Sequence, residues 1–495
     1  MKRTKHNLSY SHLLTCDMGE LIPIGLTEVL PGDTIQQSTS ALVRCSALLA
    51  PVMHPVRVAI HHWFVPHRLI WEDWEDFITG GPSGTDASVF PTITMPVSGG
   101  AAIGSLADYL GVPPGVNSLE VSALPFRAYA LTWNEFYRDQ DLQTELVIDE
   151  TSGPDTTTNT ALQNAAWEKD YFTSARPFAQ KGPSVTIPLG SSAPVVGLNS
   201  NITFGNTVDS TARTFQTNQS GTNTTRLALG TSPSALGDAR WGATALEADL
   251  TGASAITINA LREAMALQRY AEARSRYGSR YTEYLSYLGV RSSDARLQRP
   301  EYLGGGRETI QFSEVLQTAE GTNPVGELRG HGIAAARSNR YRRFFEEHGY
   351  IISLMVIRPK TIYGQGLFRT WNRRVKEDFW QRELQHIGQQ EVLNKEVYAP
   401  HASPDGTFGY QDRYDEYRRS ESRVSGEFRD TTLDYWHLAR IFSSDPALNS
   451  SFVSSVPTKR IFAVTDPEVD SLYVTVKHST QARRQVAKEG HSFIY

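Results

Sequence analysis

The chain has 495 residues, 40% of them hydrophobic, and its 53 acidic against 48 basic side chains leave a formal net charge of −5 with histidine neutral. This balance excludes a generally disordered chain, and it excludes a protein that coats nucleic acid over its whole surface, so any such contact must be local. No apolar run approaches the roughly eighteen residues of a membrane helix, and nothing apolar follows Met1-Lys-Arg-Thr-Lys-His, so neither membrane insertion nor a secretory leader is expected.

Residues 1–15 read as a basic N-terminal arm whose Lys2, Arg3 and Lys5 are candidates to face nucleic acid. Cys16 and Cys45 are expected to be reduced thiols, since a single bridge is out of place in a long chain without a secretory leader. Thr34 to Leu49 and Val56 to Val65 are rich in β-branched and apolar residues and read as strands. In the second, Val56, Val58, Ile60, His62 and Phe64 alternate with Arg57, Ala59, His61, Trp63 and Val65, and Pro66 closes the run. His61 and His62 therefore point to opposite faces and cannot share one ion. His54 could join His62, but no nearby cysteine or patterned carboxylate completes a site, so no metal or cofactor is expected.

Trp71, Trp74 and Ile78 recur at helical spacing, with Glu72, Asp73, Glu75 and Asp76 on the wet side and Gly80-Gly81 as the stop. A second helix is expected over Pro125 to Tyr137, with proline in its first turn and Phe126, Tyr129, Ala130, Trp133, Phe136 and Tyr137 along one stripe. A large insertion over 145–258 follows. Within it Gly190 to Ser234 is dominated by Ser, Thr, Asn and Gly and reads as an exposed loop, long enough that it must build a small β projection or serve a function. A third helix starts near Asn259 and ends before Gly278, with Arg269, Arg274 and Arg276 suiting the negative end of its dipole.

Gly304-Gly-Gly306 reads as a flexible turn, since no Gly-Lys-Ser/Thr follows it. Late strands are expected at Tyr350 to Arg358, Lys459 to Val464 and Ser471 to Lys477. Strands early and late around long, partly helical connections give a mainly β chain, an antiparallel sandwich or jelly roll with large insertions.

Three segments interleave arginines with aromatics: Arg337 to Phe345, Phe368 to Arg374, and Tyr414 to Arg419. Guanidinium groups hold phosphates while aromatic faces stack on unpaired bases, which makes Arg340, Arg342, Arg343, Arg373 and Arg374 candidates for nucleic-acid contact. The competing reading pairs these arginines with Glu346, Glu347, Glu377, Asp378, Asp415 and Glu416, or places them at subunit interfaces. Trp63, Trp71, Trp74, Phe126, Trp133, Trp371, Arg418 and Arg419 are candidates for packing or interface roles. No nucleophile elbow or zinc-hydrolase spacing is present and no carboxylate pair stands out, so no catalytic residue is assigned.

The ordered set Pro51 to Gly81, Leu124 to Gln143, Lys169 to Pro177, Ser279 to Leu285 with Asp294 to Gly304, Glu346 to Ile352, Val392 to Val397, Phe408 to Tyr414 and Arg423 to Phe428 resembles the major capsid protein of gokushovirus-like Microviridae, small phages with single-stranded DNA. The resemblance implies an eight-stranded jelly roll, identical subunits forming a small icosahedral shell around circular single-stranded DNA, and an insertion that projects toward a host surface receptor. Scaffolding and minor virion proteins are implied as further partners, with assembly in the cytoplasm of a bacterial host. The polar Gly190–Ser234 segment, without an apolar tip, departs from that pattern. A β-sandwich hydrolase of the glycosidase type and a tail or fibre-type binding protein are the alternatives, separated from a shell protein by turnover and by open-ended or trimeric assembly.

Overall fold

The computed structural model describes residues 3–186, 258–278, 280–291, 293–316, 318 and 326–488, with seven short strands between 195 and 248. Eleven strands carry the fold: β1 (Thr4–Asn7), β2 (Tyr10–Cys16), β3 (Leu21–Val29), β4 (Thr34–Cys45), β5 (Val56–Pro66), β6 (Glu301–Thr309), β7 (Gln311–Leu316), β8 (Leu328–Arg337), β9 (Tyr341–Phe344), β10 (Gly349–Pro359) and β11 (Leu472–Arg484). One sheet has seven strands in the order β1/β2-β11-β4-β8-β7, with β9 continuing β8 along β4; the other has four, β6-β5-β10-β3. Every pairing between them is antiparallel. With β1/β2 and β8/β9 each counted as one interrupted strand and β7 set aside, the two sheets read 1-8-3-6 and 5-4-7-2 in chain order. That is the jelly roll, and its long insertions leave from β5 and from β10.

The two sheets bury different faces, and the burial pattern shows it. Along β4 and β11 buried and exposed positions alternate, the signature of one wet face, whereas β5 and β10 are buried on both. Val43, Val58, Ile60, Met355, Val474 and Val476 fill the space between the sheets. On the far side of the four-stranded sheet, Trp63, Val65, Ile352 and Leu354 pack against Phe126, Tyr129 and Trp133 of a 13-residue helix, Leu124–Phe136. Pro125 sits in the first turn of this helix, where its missing N–H costs nothing. Among the described residues, the insertions thus cover one sheet and leave most of the outer face of the other uncovered.

Cys16 and Cys45 are both buried and unbridged. Each lies opposite Leu472, on either side of β11, so two strand spacings of about 4.8 Å separate them, beyond disulfide reach.

Several sequence expectations require correction. Gly304-Gly-Gly306 is strand, in β6: a Cβ on Gly305 would stand 2.4 Å from the Ile60 carbonyl oxygen, and one on Gly306 would stand 2.1 Å from that of Arg337. Glycine serves close backbone approach there, not a turn. Lys459 to Val464 is a turn that buries Ile461 and Phe462, with the Phe462 N–H donating to the Lys459 carbonyl. A short apolar run reads alike in both settings. The helix after β5 spans only Trp74–Thr79; Trp71 precedes it, wholly buried, and Ile78 is half exposed, so the stripe does not pack as a unit. Within residues 1–15, read as an arm, β1 and most of β2 run along β11 as edge strands, held by backbone pairing that composition does not reveal.

The chain divides into two units, Met1–Lys181 with Arg274–Tyr495, and Gly182–Ala273. In the second, Phe204–Asn206 pairs with Ala212–Arg213 and Ala239–Trp241, and Val195–Gly197 with Leu246–Ala248. Gln216–Thr217 pairs with Leu227–Ala228, and the remainder of the expected loop at Gly190–Ser234 lies outside the described residues.

Candidate nucleic-acid interface

The open face of the seven-stranded sheet is a grid fixed by register. Outward positions of β11 are Tyr473, Thr475, Lys477, Ser479, Gln481 and Arg483. Across β4 they align with Arg44, Leu42, Ser40, Ser38, Gln36 and Thr34. Farther out, Arg337 stands beside Ser40, Arg342 beside Gln36, and Phe344 beside Thr34. At the opposite edge Lys5 stands beside Arg483 and Ser11 beside Lys477.

Charge on this face has one sign. No aspartate or glutamate holds an outward position on the described strands of this sheet. Lys5, Arg44, Arg337, Arg342, Lys477 and Arg483 make no ion pair or side-chain hydrogen bond with a described residue. Lys5 and Arg483 are like charges on directly opposite positions, an arrangement that destabilises a sheet unless an anion joins it. Asp108 and Asp470 stand only at the border, where the Thr15 hydroxyl donates to Asp470.

The candidates named from sequence separate into groups. Lys2 lies outside the described residues. Arg3 donates to the Gly32 carbonyl at 2.8 Å and to Thr34 Oγ1 at 3.1 Å, with its guanidinium over the Phe344 ring. Lys5 and Arg342 are on the open face. So is Arg340, whose guanidinium lies against the Gln36 side-chain amide. Arg343 turns away from them and pairs with Glu301. Arg373 is largely enclosed: it lies 3.6 Å from Glu416 and stacks 4.3 Å over the Tyr417 ring. Arg374 is exposed and donates to the carbonyls of Trp371 and Arg373. Arg418 pairs with Asp412 and Asp415, and Arg419 with Asp415.

Most of the aromatic candidates are internal. Trp63 stacks on Phe136 at 3.9 Å and its Nε1–H donates to the Tyr137 hydroxyl; that hydroxyl is also hydrogen-bonded to His61. Trp71 Nε1–H donates to Ser152 Oγ at 2.8 Å, and Trp133 Nε1–H to the Asn164 carbonyl at 2.9 Å. Phe126 is buried, and Trp74 is half-buried between His67 and His348. Trp371 alone among these aromatics is strongly exposed, at 67%.

His62, on the other side of β5 from His61, is hydrogen-bonded to Ser353 and Ser338 between the sheets. His54 is hydrogen-bonded to the Lys360 carbonyl. Burial pushes His62 down to about 3 and His54 to about 4, so both are neutral structural groups.

Arg44, Lys477 and Arg483 belong to no motif legible in the sequence, and Arg337, at the head of the segment Arg337 to Phe345, is not among the candidates. Their signal is spaced by two, as in Lys477-x-x-x-x-x-Arg483, and becomes legible only once the strands and the wet face are known.

A family model described as capsid protein (F protein) matches residues 1–493. Capsid protein VP1 of Bdellovibrio phage phiMH2K is 39% identical over 490 residues, covering 95% of this chain and 91% of the relative. Capsid protein VP1 of Chlamydia phage 1 is 34% identical, covering 94% and 91%, and that of Spiroplasma virus 4 is 34% identical, covering 91% and 87%.

Proposed function

This chain belongs to the phage capsid protein (F protein) family, and from that premise we propose that the open face of its seven-stranded sheet meets a single-stranded DNA genome inside the shell. The protein is a structural major capsid protein, a component of the virion that assembles with identical copies into a shell, and the hydrolase alternative has no support. The observation that carries the DNA reading is that, among the described residues, six cations on this grid have no partner and no acid shares their outward positions, with Lys5 and Arg483 side by side. Such a face attracts a polyanion while the chain as a whole stays negative. Tyr473, half exposed on this face, suits an unpaired base better than duplex.

The shell is read as a small icosahedron enclosing circular single-stranded DNA and assembled in the cytoplasm of a bacterial host. Five-fold and three-fold contacts are heterologous, so each subunit needs several different patches. Exposed Trp371 and the arginines around it suit one of these. Scaffolding and minor virion proteins are the other partners proposed. The unit Gly182–Ala273 is read as the part directed at a host receptor; deleting 190–234 should spare folding and abolish attachment, and collapse of the fold would overturn that assignment. For the DNA face, the test is a salt titration of single-strand binding by charge-neutralised variants.

A further inference from the structure

At one end of the open face the sheet forms the floor of a cavity of about 490 Å³, within the size range of small-ligand sites. Two register rows make the floor. Thr15, Tyr473 and Arg44 form the first, and Leu13, Thr475 and Leu42 the second. Ile103, from the segment leading into the short helix Leu106–Leu110, lines one side. That segment is anchored at the sheet edge, since the Tyr109 hydroxyl donates to the Thr15 carbonyl at 2.7 Å.

We propose that this cavity seats one unpaired nucleobase of the enclosed strand, with its flat face on the Tyr473 ring and its neighbouring phosphate on Arg44. The proposal rests on the reading of this sheet as the DNA face and extends it from charge to base recognition. Tyr473 is central in its row and half exposed, as a stacking platform must be. Leu13, 76% exposed, and Leu42 add aliphatic surface that water alone would leave unfavourably wet, and they flank the ring without closing it. Arg44 has no described partner and stands one strand away from Tyr473, so a phosphate there lies next to a base stacked on the ring. Thr475 supplies a hydroxyl, and Asp108 at the rim accepts from base amino groups. Stacking requires only a π-face, so binding there tolerates any sequence.

The test compares the full-length chain's affinity for an oligothymidylate with that for an abasic strand of the same length and phosphate count. The base-bearing strand should bind more tightly, by roughly 5- to 150-fold for one stacked base. Y473A should remove that preference while leaving abasic binding unchanged, and Y473F should keep it. R44Q should weaken both strands. Equal affinity of wild type for the two strands overturns the base seat while leaving the cationic face intact. Failure of the face itself would show differently, as weak binding to both strands without salt dependence. Should Y473A not fold, wild-type chain irradiated with 5-iodouracil-substituted strand decides the matter: crosslinking at Tyr473 supports the seat. Crosslinks that avoid Tyr473, or a protein partner trapped there in purified particles, refute it.

Discussion

The Arg127 guanidinium donates to the Asp155 carboxylate at 2.9 Å, and neither side chain has any exposed surface. Its two terminal nitrogens donate to the carbonyls of Ile70 at 3.0 Å and Thr151 at 3.1 Å. One helical side chain thus ties the exit of β5 to the turn around 149–158. The same elements cover the four-stranded sheet, so this pair helps decide which sheet stays open.

Replacing Arg127 with alanine strands the Asp155 charge in a dry site and should destabilise the chain by about 3–5 kcal/mol. Chemical denaturation of the purified subunit measures this. A loss no larger than the roughly 0.5 kcal/mol of an ordinary surface change would mean that the pair is dispensable.

Neutralising Arg337, Arg342, Lys477 and Arg483 to glutamine should flatten the dependence of single-strand affinity on salt, by about 0.7 in logarithmic slope for each phosphate that the variant no longer neutralises. R343Q and R373Q serve as the comparison. Their guanidinium groups already face Glu301 and Glu416, so the slope should hold. The reverse pattern would move the DNA contact off this face.

Acid should unfold the subunit through its buried histidines. Burial holds His62 down to about 3 and His54 and His67 to about 4, against about 6.5 in the unfolded chain. Because the folded values are depressed, the unfolded chain binds more protons between about pH 6.5 and 4. Stability is therefore full above about pH 6.5 and falls as pH drops, by about 1.4 kcal/mol per pH unit for each such histidine within that window. Denaturation midpoints from pH 7 to 4 test this, and His62→Gln should shallow the slope. A flat profile would mean that these rings are not held neutral in the fold.

Cys45 is pushed up to about 12 by burial, and Cys16 well above the ordinary thiol range, so neither offers a thiolate at neutral pH. Thiol reagents should label both only after denaturation. Prompt labelling of the native chain would place at least one of them on an accessible surface.

Trp371→Ala should leave subunit stability within about 0.5 kcal/mol, because the ring is mostly in water. On the proposed reading of Trp371 as an aromatic anchor between subunits, assembly into particles, followed by sedimentation, should weaken. Unchanged assembly would remove Trp371 from the interface candidates.

Much of the framework was legible in the chain itself. The β-branched and apolar run from Val56, closed by Pro66, marked β5, and the stripe from Phe126 to Tyr137 marked the covering helix, because its periodicity reflects which side meets the core. The opposite orientation of His61 and His62 followed from strand geometry alone. Gly304-Gly-Gly306 was misread because its glycines answer to Ile60 and Arg337, distant in sequence. Arg343 and Arg342 look alike in the chain, yet neighbours in a strand point to opposite faces, and only register sends one to Glu301 and the other to the open sheet.

Composition, periodicity and ordered motifs thus determined a mainly β shell protein with long insertions. The tertiary structure decided which face the described residues leave bare, which cations there have no described partner, and that Lys5 and Arg483, near opposite ends of the chain, become neighbours. The physical reason is that strand pairing is non-local: hydrogen bonds between distant segments set the register, and register decides which charges meet.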